Sequence, residues 1–262
     1  MDKKWDLKIK NLFSLKDKVV VVTGGAGSLG EGVARGLANF GARIVVTGRT
    51  AATLAKAVGQ VREAGGEALA IVADVTDENS VQKLSEQVLA AYGRVDILVN
   101  VAGIAIRHPA EEFDIADFRK VIDANVTGTF IPCKIFGAIF KQQGYGKIVN
   151  TSSVRAFAGH PGGYAAYGTS KGAINLLTKQ LATEWAKYHI NVNAVAPTIF
   201  WTPLTQEVLE NEKLKKIFLD RIPFGRAALV EDMVGSTVYL CSAAADFITG
   251  QIVYVDGGCT AG

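Results

Sequence analysis

The sequence predicts a single-domain α/β fold, a doubly wound parallel sheet of about seven strands with helices on both faces. Short apolar runs rich in β-branched residues alternate with longer segments of helical period, and no Pro- or Ser-rich linker interrupts them. Several runs are apolar on both faces, as expected for parallel strands that helices cover on each side. The predicted strands are 18–22, 43–47, 68–73, 96–99, 147–150, 191–195 and 252–255.

The segments between the strands have the period of amphipathic helices. After the first strand, Leu29, Val33, Leu37 and Phe40 fall on one helical face, and Gly41 suits the C-terminus of that helix. Further helices are predicted at about 51–64, 78–92, 112–141, 164–188 and 230–243. One domain, 1–262, accounts for this pattern, with 1–15 as an N-terminal extension and about 197–226 as a long insertion. Because a loop of that length in a compact domain is usually functional, we expect a substrate lid there.

Composition excludes several classes of protein. With 49% hydrophobic residues among 262, the chain has enough apolar surface for a large core, which excludes a disordered chain. The net charge of +3 is mild and the basic residues are scattered, so we expect no nucleic-acid partner and no membrane partner. The three cysteines and three histidines lack metal-ligand spacing, so no metal site and no disulfide framework are predicted. Without a signal-like apolar N-terminus, the protein is expected to be cytoplasmic.

A glycine-rich segment, Thr-Gly-Gly-Ala-Gly-Ser-Leu-Gly at 23–30, follows the first strand and opens its helix. Glycines permit a tight turn and a close approach of the backbone, and the N-terminus of a helix favours a diphosphate. An ordinary glycine-rich turn is the alternative interpretation. The position of the loop favours nucleotide binding, because open α/β sheets bind ligands at the carboxyl ends of their strands.

Tyr167 and Lys171 are separated by one helical turn and therefore share a face of the predicted helix. An ammonium beside a phenol lowers the pKa of the phenol, which would make Tyr167 a usable proton donor and acceptor. Ser153 lies at the end of a predicted strand, where its hydroxyl would meet the same substrate oxygen. The spacing of Tyr167 and Lys171 alone is a weak indication, because chance produces such pairs readily.

These features together resemble the short-chain dehydrogenase/reductase family over nearly the whole chain, which implies a Rossmann-type fold. Besides the glycine loop and the Tyr167/Lys171 pair, the resemblance rests on the segments 74–75, 100–103, 152–153, 193–197 and 255–258 and on Asn125 and Thr202. Ser28, Val101 and Thr198 depart from the family pattern, and none of them removes a catalytic group.

The family roles transfer by position. Tyr167 would be the general acid/base, and Ser153 would hydrogen-bond the substrate oxygen. Lys171 would bind the nicotinamide ribose and lower the pKa of Tyr167. Asn125 would support a water-mediated proton relay. Asp74 and Val75 would contact adenine. The implied cofactor-binding set is Gly24, Ser28, Leu29, Gly30, Arg49, Asp74, Val75, Asn100, Ala102, Gly103, Tyr167, Lys171, Pro197, Thr198, Ile199 and Thr202.

Within the family, the segments 11–16, 118–123 and 146–150 resemble sugar-acid and polyol dehydrogenases of the gluconate 5-dehydrogenase type. The implied reaction moves a hydride between a nicotinamide and a secondary alcohol or ketone. A β-ketoacyl-carrier-protein reductase and a non-catalytic nucleotide-sensing protein are the alternatives. The intact set of Ser153, Tyr167, Lys171 and Asn125 argues against a sensor.

The end of the second strand predicts the cofactor preference. An NAD-preferring member would place an acidic residue near Gly48, which is neutral here, and Arg49 offers a guanidinium to a 2′-phosphate. We therefore expect NADP to be preferred over NAD.

Two arginines follow strand ends on the substrate side. Arg155 lies just beyond Ser153, and Arg107 follows the turn after the fourth strand, so an anionic polyhydroxy substrate such as a sugar acid is predicted. Exposure to solvent, or pairing with Glu111, Glu112 or Asp114, is the alternative for each arginine. With Ser153 and Tyr167, these two arginines complete the predicted substrate site.

A homotetramer is also expected. Related enzymes commonly pair their two long central helices, and here these helices carry more apolar residues than one core face needs. Those residues are Phe130, Ile135, Phe136, Ile139, Leu177, Leu181 and Trp185.

Overall fold

The computed structural model describes residues 11–202 and 205–262, and its centre is one parallel sheet. Seven strands lie in the order β3-β2-β1-β4-β5-β6-β7. They are β1 (Val19–Thr23), β2 (Arg43–Gly48), β3 (Glu67–Val72), β4 (Ile97–Asn100), β5 (Gly146–Thr151), β6 (Ile190–Pro197) and β7 (Ile252–Val255). The predicted fold class is confirmed, and each predicted strand differs from the observed one by two residues or fewer at either end.

Helices pack on both faces of the sheet. They are α1 (Ser28–Asn39), α2 (Ala51–Glu63), α3 (Glu78–Tyr92), α4 (Ile115–Ile122), α5 (Gly128–Gln143), α6 (Ala165–Trp185), α7 (Gln206–Glu210), α8 (Glu212–Leu219) and α9 (Val230–Cys241). The core on one face joins Val20 and Val22 to α1, α2 and α9. The core on the other face joins Val19 and Val21 to α3, α5 and α6. Alternate residues of β1 thus serve both cores, as a central strand requires.

The long helix predicted at 112–141 is wrong in two respects. A short 3₁₀ turn ends at Glu112, and α4 begins only at Ile115, because the carboxylate of Asp114 caps it by accepting from the amide of Ala116 at 2.6 Å. A π-helical turn, Asp123–Thr127, then separates α4 from α5. Pro132 lies in α5 just beyond this turn and cannot donate a backbone hydrogen bond.

Three smaller expectations also change. Phe40 is 42% exposed, because α1 ends at Asn39 and the phenylalanine lies beyond the packed face. The insertion at about 197–226 is not a plain loop but contains α7 and α8; positions 203 and 204 fall outside the described residues. Of the N-terminal extension, 1–10 also falls outside them, whereas Leu15 is buried in the core.

Much of the apolar surface assigned to subunit contacts belongs to the core instead. Ile135, Phe136 and Leu181 are buried against the sheet, whereas Phe130 on α5 and Leu176 on α6 are exposed. The two helices therefore present fewer free apolar side chains than their sequences suggest.

A buried chain of polar side chains crosses the sheet near the carboxyl ends of its strands. The Thr23 hydroxyl donates to the Asn100 amide oxygen (3.4 Å), the Asn100 amide donates to Asn150 (3.0 Å), and the Asn150 amide donates to Thr178 on α6 (3.0 Å). All four residues are nearly inaccessible to solvent. We call this the polar ladder; it ties β1, β4, β5 and α6 together directly beneath the site described next.

Candidate active site

A cleft of about 840 Å³ lies at the carboxyl ends of the strands. Loops after six of the seven strands line it, which is the ligand position expected for an open α/β sheet. The cleft brings together nearly all of the site residues predicted from the sequence. These are Gly24, Ser28, Leu29, Gly30, Arg49, Asp74, Val75, Ala102, Gly103, Arg107, Ser153, Arg155, Tyr167, Lys171, Pro197, Thr198, Ile199 and Thr202.

The glycine loop leaves room that a larger side chain would fill. Gly24 has φ +63°, and a Cβ there would lie 2.8 Å from the backbone of Ala102; a Cβ at Gly30 would collide with the carbonyl of Gly24. Gly27 offers no side-chain cap to α1, so the first amides of the helix have no side-chain acceptor. Ser28, where the family usually has glycine, is exposed and lines the cleft. Free amides at a helix N-terminus beside this cradle suit the diphosphate of a dinucleotide.

The opposite end of the cleft is polar. Arg49 is exposed at the end of β2, beside Thr50 and Thr53, two further lining residues that no motif in the sequence predicts. Asp74 accepts hydrogen bonds from the amide and hydroxyl of Thr76, at 2.9 and 2.7 Å, and these bonds lower the pKa of Asp74. Asp74 therefore remains charged and fixes the turn after β3, while the guanidinium of Arg49 stays available to a ligand.

Tyr167, Lys171 and Ser153 meet in the wall of the cleft. Tyr167 and Lys171 lie one turn apart on α6, with the ammonium 5.6 Å from the centre of the Tyr167 ring. The ammonium donates to the carbonyl of Thr151 at the end of β5 (2.7 Å). Ser153 follows the same strand; its hydroxyl donates to the carbonyl of Pro197 (3.4 Å), accepts from the amide of Arg155 (3.2 Å) and lies beside Tyr167. Sheet and helix together thus place a serine hydroxyl, a phenol and an ammonium side by side.

Burial governs the protonation of this group. Desolvation raises the pKa of Tyr167, and the neighbouring Ser153 hydroxyl opposes that rise. Desolvation also lowers the pKa of Lys171 to about 8. The spacing predicts that Lys171 lowers the pKa of Tyr167; in the structure the net direction is upward, because Tyr167 is partly buried and the Lys171 ammonium lies over its ring rather than at its hydroxyl.

Asn125 lies in the π-helical turn and does not line the cleft. Its amide oxygen accepts from the amide of Ile104 (2.7 Å), and its nitrogen donates to the carbonyl of Ile104 (2.9 Å) and to the Ser170 hydroxyl (2.9 Å). The side chain is fully buried. Asn125 therefore tethers the loop after β4 to α6, and its side-chain amide is engaged in that tether.

Asn100 also differs from its prediction. The resemblance predicts Asn100 in the cofactor site, but its side chain belongs to the polar ladder and is absent from the cleft lining. The reason is the pleat of β4, which directs this side chain toward Asn150 of the neighbouring strand. Asn100 supports the floor of the cleft from below.

Aromatic and basic side chains form the substrate end of the cleft. Arg107 donates to the Tyr164 hydroxyl (3.2 Å), and the rings of Tyr164 and Tyr167 meet edge to face at 5.9 Å. Arg155 and Tyr164 also line an adjoining side cavity of about 490 Å³. Phe218 reaches the cleft from α8 and is not among the predicted site residues, because a loop is expected at 197–226 although 212–219 has a helical period.

The described residues place limits on other kinds of site. Among them, no group of three or more His, Cys, Asp or Glu side chains is arranged to hold a metal ion. Over the same residues, no helix is both long and apolar enough to cross a bilayer.

Comparison with known proteins identifies relatives over nearly the full length. The family described as enoyl-(acyl carrier protein) reductase matches residues 24–260. The gluconate 5-dehydrogenase of Gluconobacter oxydans is 37% identical over 250 residues, covering 95% of this chain and 97% of the relative. The 2-dehydro-3-deoxy-D-gluconate 5-dehydrogenase of Dickeya dadantii is 39% identical over 251 residues, covering 95% and 98%.

A solved structure agrees with this result. The gluconate 5-dehydrogenase of Burkholderia cenocepacia, crystallised with NADP and tartrate, superimposes with a TM-score of 0.92 at 34% identity. The alignment covers 96% of this chain and 98% of that one. Fold and sequence therefore agree over almost the whole molecule.

Proposed function

Because the chain belongs to the short-chain dehydrogenase/reductase family, we propose that it is an NADP-dependent dehydrogenase acting on a secondary hydroxyl of a sugar acid. One observation carries the proposal: Ser153 and Tyr167, with Lys171 one helical turn from the tyrosine, lie together in the wall of a cleft that suits a dinucleotide. Arg107 and Arg155 line the same cleft and supply positive charge for an acid substrate. The gluconate dehydrogenases among the relatives support this substrate class.

The lining residues fit NADP. Gly24, Ser28, Leu29 and Gly30 would hold the diphosphate at α1, Asp74 and Val75 the adenine, and Arg49 the 2′-phosphate. Ala102, Gly103, Lys171, Pro197, Thr198, Ile199 and Thr202 would hold the nicotinamide riboside. When bound, the cofactor supplies the two-electron oxidant or reductant. Gly48 with Arg49 favours NADP over NAD, and the NADP in the Burkholderia structure supports that choice.

Tyr167 is the proton donor and acceptor in this proposal. Because burial raises its pKa, the hydroxyl keeps its proton near neutral pH and can donate it to a carbonyl oxygen. In the oxidative direction the ionised Tyr167 oxygen takes up the proton of the substrate hydroxyl, and the Ser153 hydroxyl and the Arg155 charge, which lower the pKa of Tyr167, favour that ionised form. Ser153 orients the substrate oxygen toward Tyr167.

A substrate screen tests the activity. The purified protein is assayed with NADP and NAD on D-gluconate and on the neutral polyol D-sorbitol, and with NADPH and NADH on a β-ketoacyl thioester. Formation of NADPH from a sugar acid supports the proposal. Turnover of the thioester alone would instead identify a β-ketoacyl-carrier-protein reductase, and nucleotide binding without turnover of any substrate would favour a sensor.

Residues 205–222, which contain α7 and α8, are proposed as a substrate lid within the single domain; we call them the α7–α8 segment. Thr205 and Phe218 bring this segment to the cleft. Its helices are short, and few of the described side chains are buried, although Leu209 and Ile222 anchor it to the domain. A segment held by so few buried side chains can open and close at low cost.

The assembly and cellular setting are also proposals. Exposed Phe130 and Leu176 on α5 and α6, together with the half-exposed residues of β7, suit contacts in a homotetramer. Light scattering at micromolar concentration should then give four times 27.8 kDa. The mass of a single chain would contradict this assembly. Three free cysteines suit the reducing cytoplasm.

A further inference from the structure

Two arginines converge on one backbone carbonyl beside the cleft. Arg155 donates to the carbonyl oxygens of Ala158 (3.4 Å) and Gly159 (3.3 Å), and Arg221 donates to the same Gly159 oxygen (3.5 Å). Neither guanidinium forms an ion pair with an acidic group in the part of the chain that the structure describes. Glu111 lines the side cavity with Arg155 but is exposed and not bonded to it.

The guanidinium groups of Arg155 and Arg221 both donate to the Gly159 oxygen, so their positive charges repel each other. Arg155 has also lost part of its hydration. Burial lowers the pKa of Arg155, and the charge of Arg221 lowers it further. Burial lowers the pKa of His160, and the charges of Arg155, Arg221 and Arg107 lower it further, so His160 remains neutral. Arg155 is half-buried and Arg221 is exposed, and no acidic side chain of the described residues pairs with either, so this cluster has a net positive potential that an anion would neutralise.

The two arginines belong to different parts of the molecule. Arg155 lies two residues beyond Ser153, on the loop fixed to β5, whereas Arg221 lies two residues beyond the end of α8. A row of rings connects the same two parts: Phe218 of α8 stacks on His160 at 5.2 Å, His160 meets Tyr164 edge-on at 5.3 Å, and Tyr164 meets Tyr167. An anion held between the arginines would therefore join the α7–α8 segment to the catalytic wall.

We propose that Arg155 and Arg221 together bind the carboxylate of the substrate, and that this grip closes the α7–α8 segment over it. The inference rests on the proposed function and extends it by making Arg221 a specificity-determining residue. The planar fork of a guanidinium accepts a carboxylate in two parallel hydrogen bonds, and two forks on opposite sides can share its oxygens. A neutral polyol lacks the group that draws Arg221 inward and leaves the segment open.

Kinetics of Arg221→Met measure the specificity. The KM for D-gluconate should rise at least about tenfold, the usual loss for a hydrogen bond to a charged group, and the KM for D-sorbitol should change less than twofold. Lys216→Met is the matched control, because it removes the same charge from α8 at a residue paired with Asp220 and should alter neither KM. Arg221→Lys should recover only part of the loss. Equal effects of Arg221→Met on acid and polyol would overturn the proposal.

Hydrogen exchange measures closure without turnover. In the presence of NADPH, D-gluconate should slow amide exchange in the α7–α8 segment of the wild type, whereas D-sorbitol and the Arg221→Met variant should show no such protection. If gluconate protects the segment but no sugar acid is oxidised, carboxylate binding by Arg155 and Arg221 is supported and the proposed function is wrong. If sugar acids are oxidised without selective protection of the segment or an Arg221-dependent KM, carboxylate binding by Arg155 and Arg221 is wrong and the proposed function is supported.

Discussion

Replacing Asn125 by alanine distinguishes two roles of this residue, a structural tether between the loop after β4 and α6 and a proton relay. The substitution removes three hydrogen bonds of a fully buried side chain, two to Ile104 and one to Ser170. At about 1 kcal/mol for each bond, the loss is roughly 3 kcal/mol of stability. At roughly 2–4 °C per kcal/mol for a domain of this size, Tm should fall by about 6–12 °C.

The assay is thermal unfolding at one fixed protein concentration, because assembly shifts the apparent stability. Asn79→Ala is the matched control: the same substitution on the exposed face of α3 should change stability by less than about 0.5 kcal/mol. The loosened loop after β4 carries Arg107, so a tether also predicts a higher KM for an acid substrate and an unchanged pH dependence of kcat. A Tm equal to that of the Asn79 variant, or an altered pH profile with normal stability, would refute the tether.

Three further predictions concern the cleft. Tyr167→Phe should retain NADPH binding, measured by fluorescence, and lose at least about 10²-fold in kcat; near-normal turnover would remove Tyr167 from the proton transfer. Arg49→Ala should lower the ratio of kcat/KM for NADP to that for NAD, and an unchanged ratio would exclude contact with the 2′-phosphate. Lys171→Met tests the buried ammonium. Lys171 has a pKa of about 8 in the folded protein and a higher pKa in the unfolded chain. At pH values between these two pKa values, the unfolded state therefore binds more protons than the folded state. Wild-type stability should therefore rise relative to the variant from pH 8 to pH 10, by up to about 3 kcal/mol, in denaturant titrations; a pH-independent difference would contradict the shifted pKa.

The strands were predictable because local sequence determines them. Runs such as 19–22 contain only β-branched residues, and burial on both faces explains that composition. The glycine loop and the Tyr167/Lys171 pair were predictable for a similar reason, since each lies within one turn or loop. The functions of the loop and of the pair depend on how far apart their residues lie in the chain, which can be read from the sequence.

The remaining features depend on contacts between distant residues. The π-helical turn coincides with the bonds from Asn125 to Ile104, which lies 21 residues earlier in the chain. Arg221 meets Gly159 across 62 residues, and no local pattern relates them. The direction of the shift at Tyr167 follows from burial, which spacing on a helix does not reveal. Asn100 was predictable in principle, because the alternation along β4 assigns its side chain to one face.

The polar ladder also has a consequence for how the sheet assembles. A slip of one residue between β1, β4 and β5 would turn Thr23, Asn100 and Asn150 to opposite faces and leave their polar groups buried without partners. Each orphaned group would cost about 1–3 kcal/mol, so misaligned sheets lose far more than they would in a purely aliphatic core. The ladder thus discriminates against kinetic traps during folding. Because it lies directly under the cleft, a chain that has aligned these strands correctly has also built the floor of its own active site.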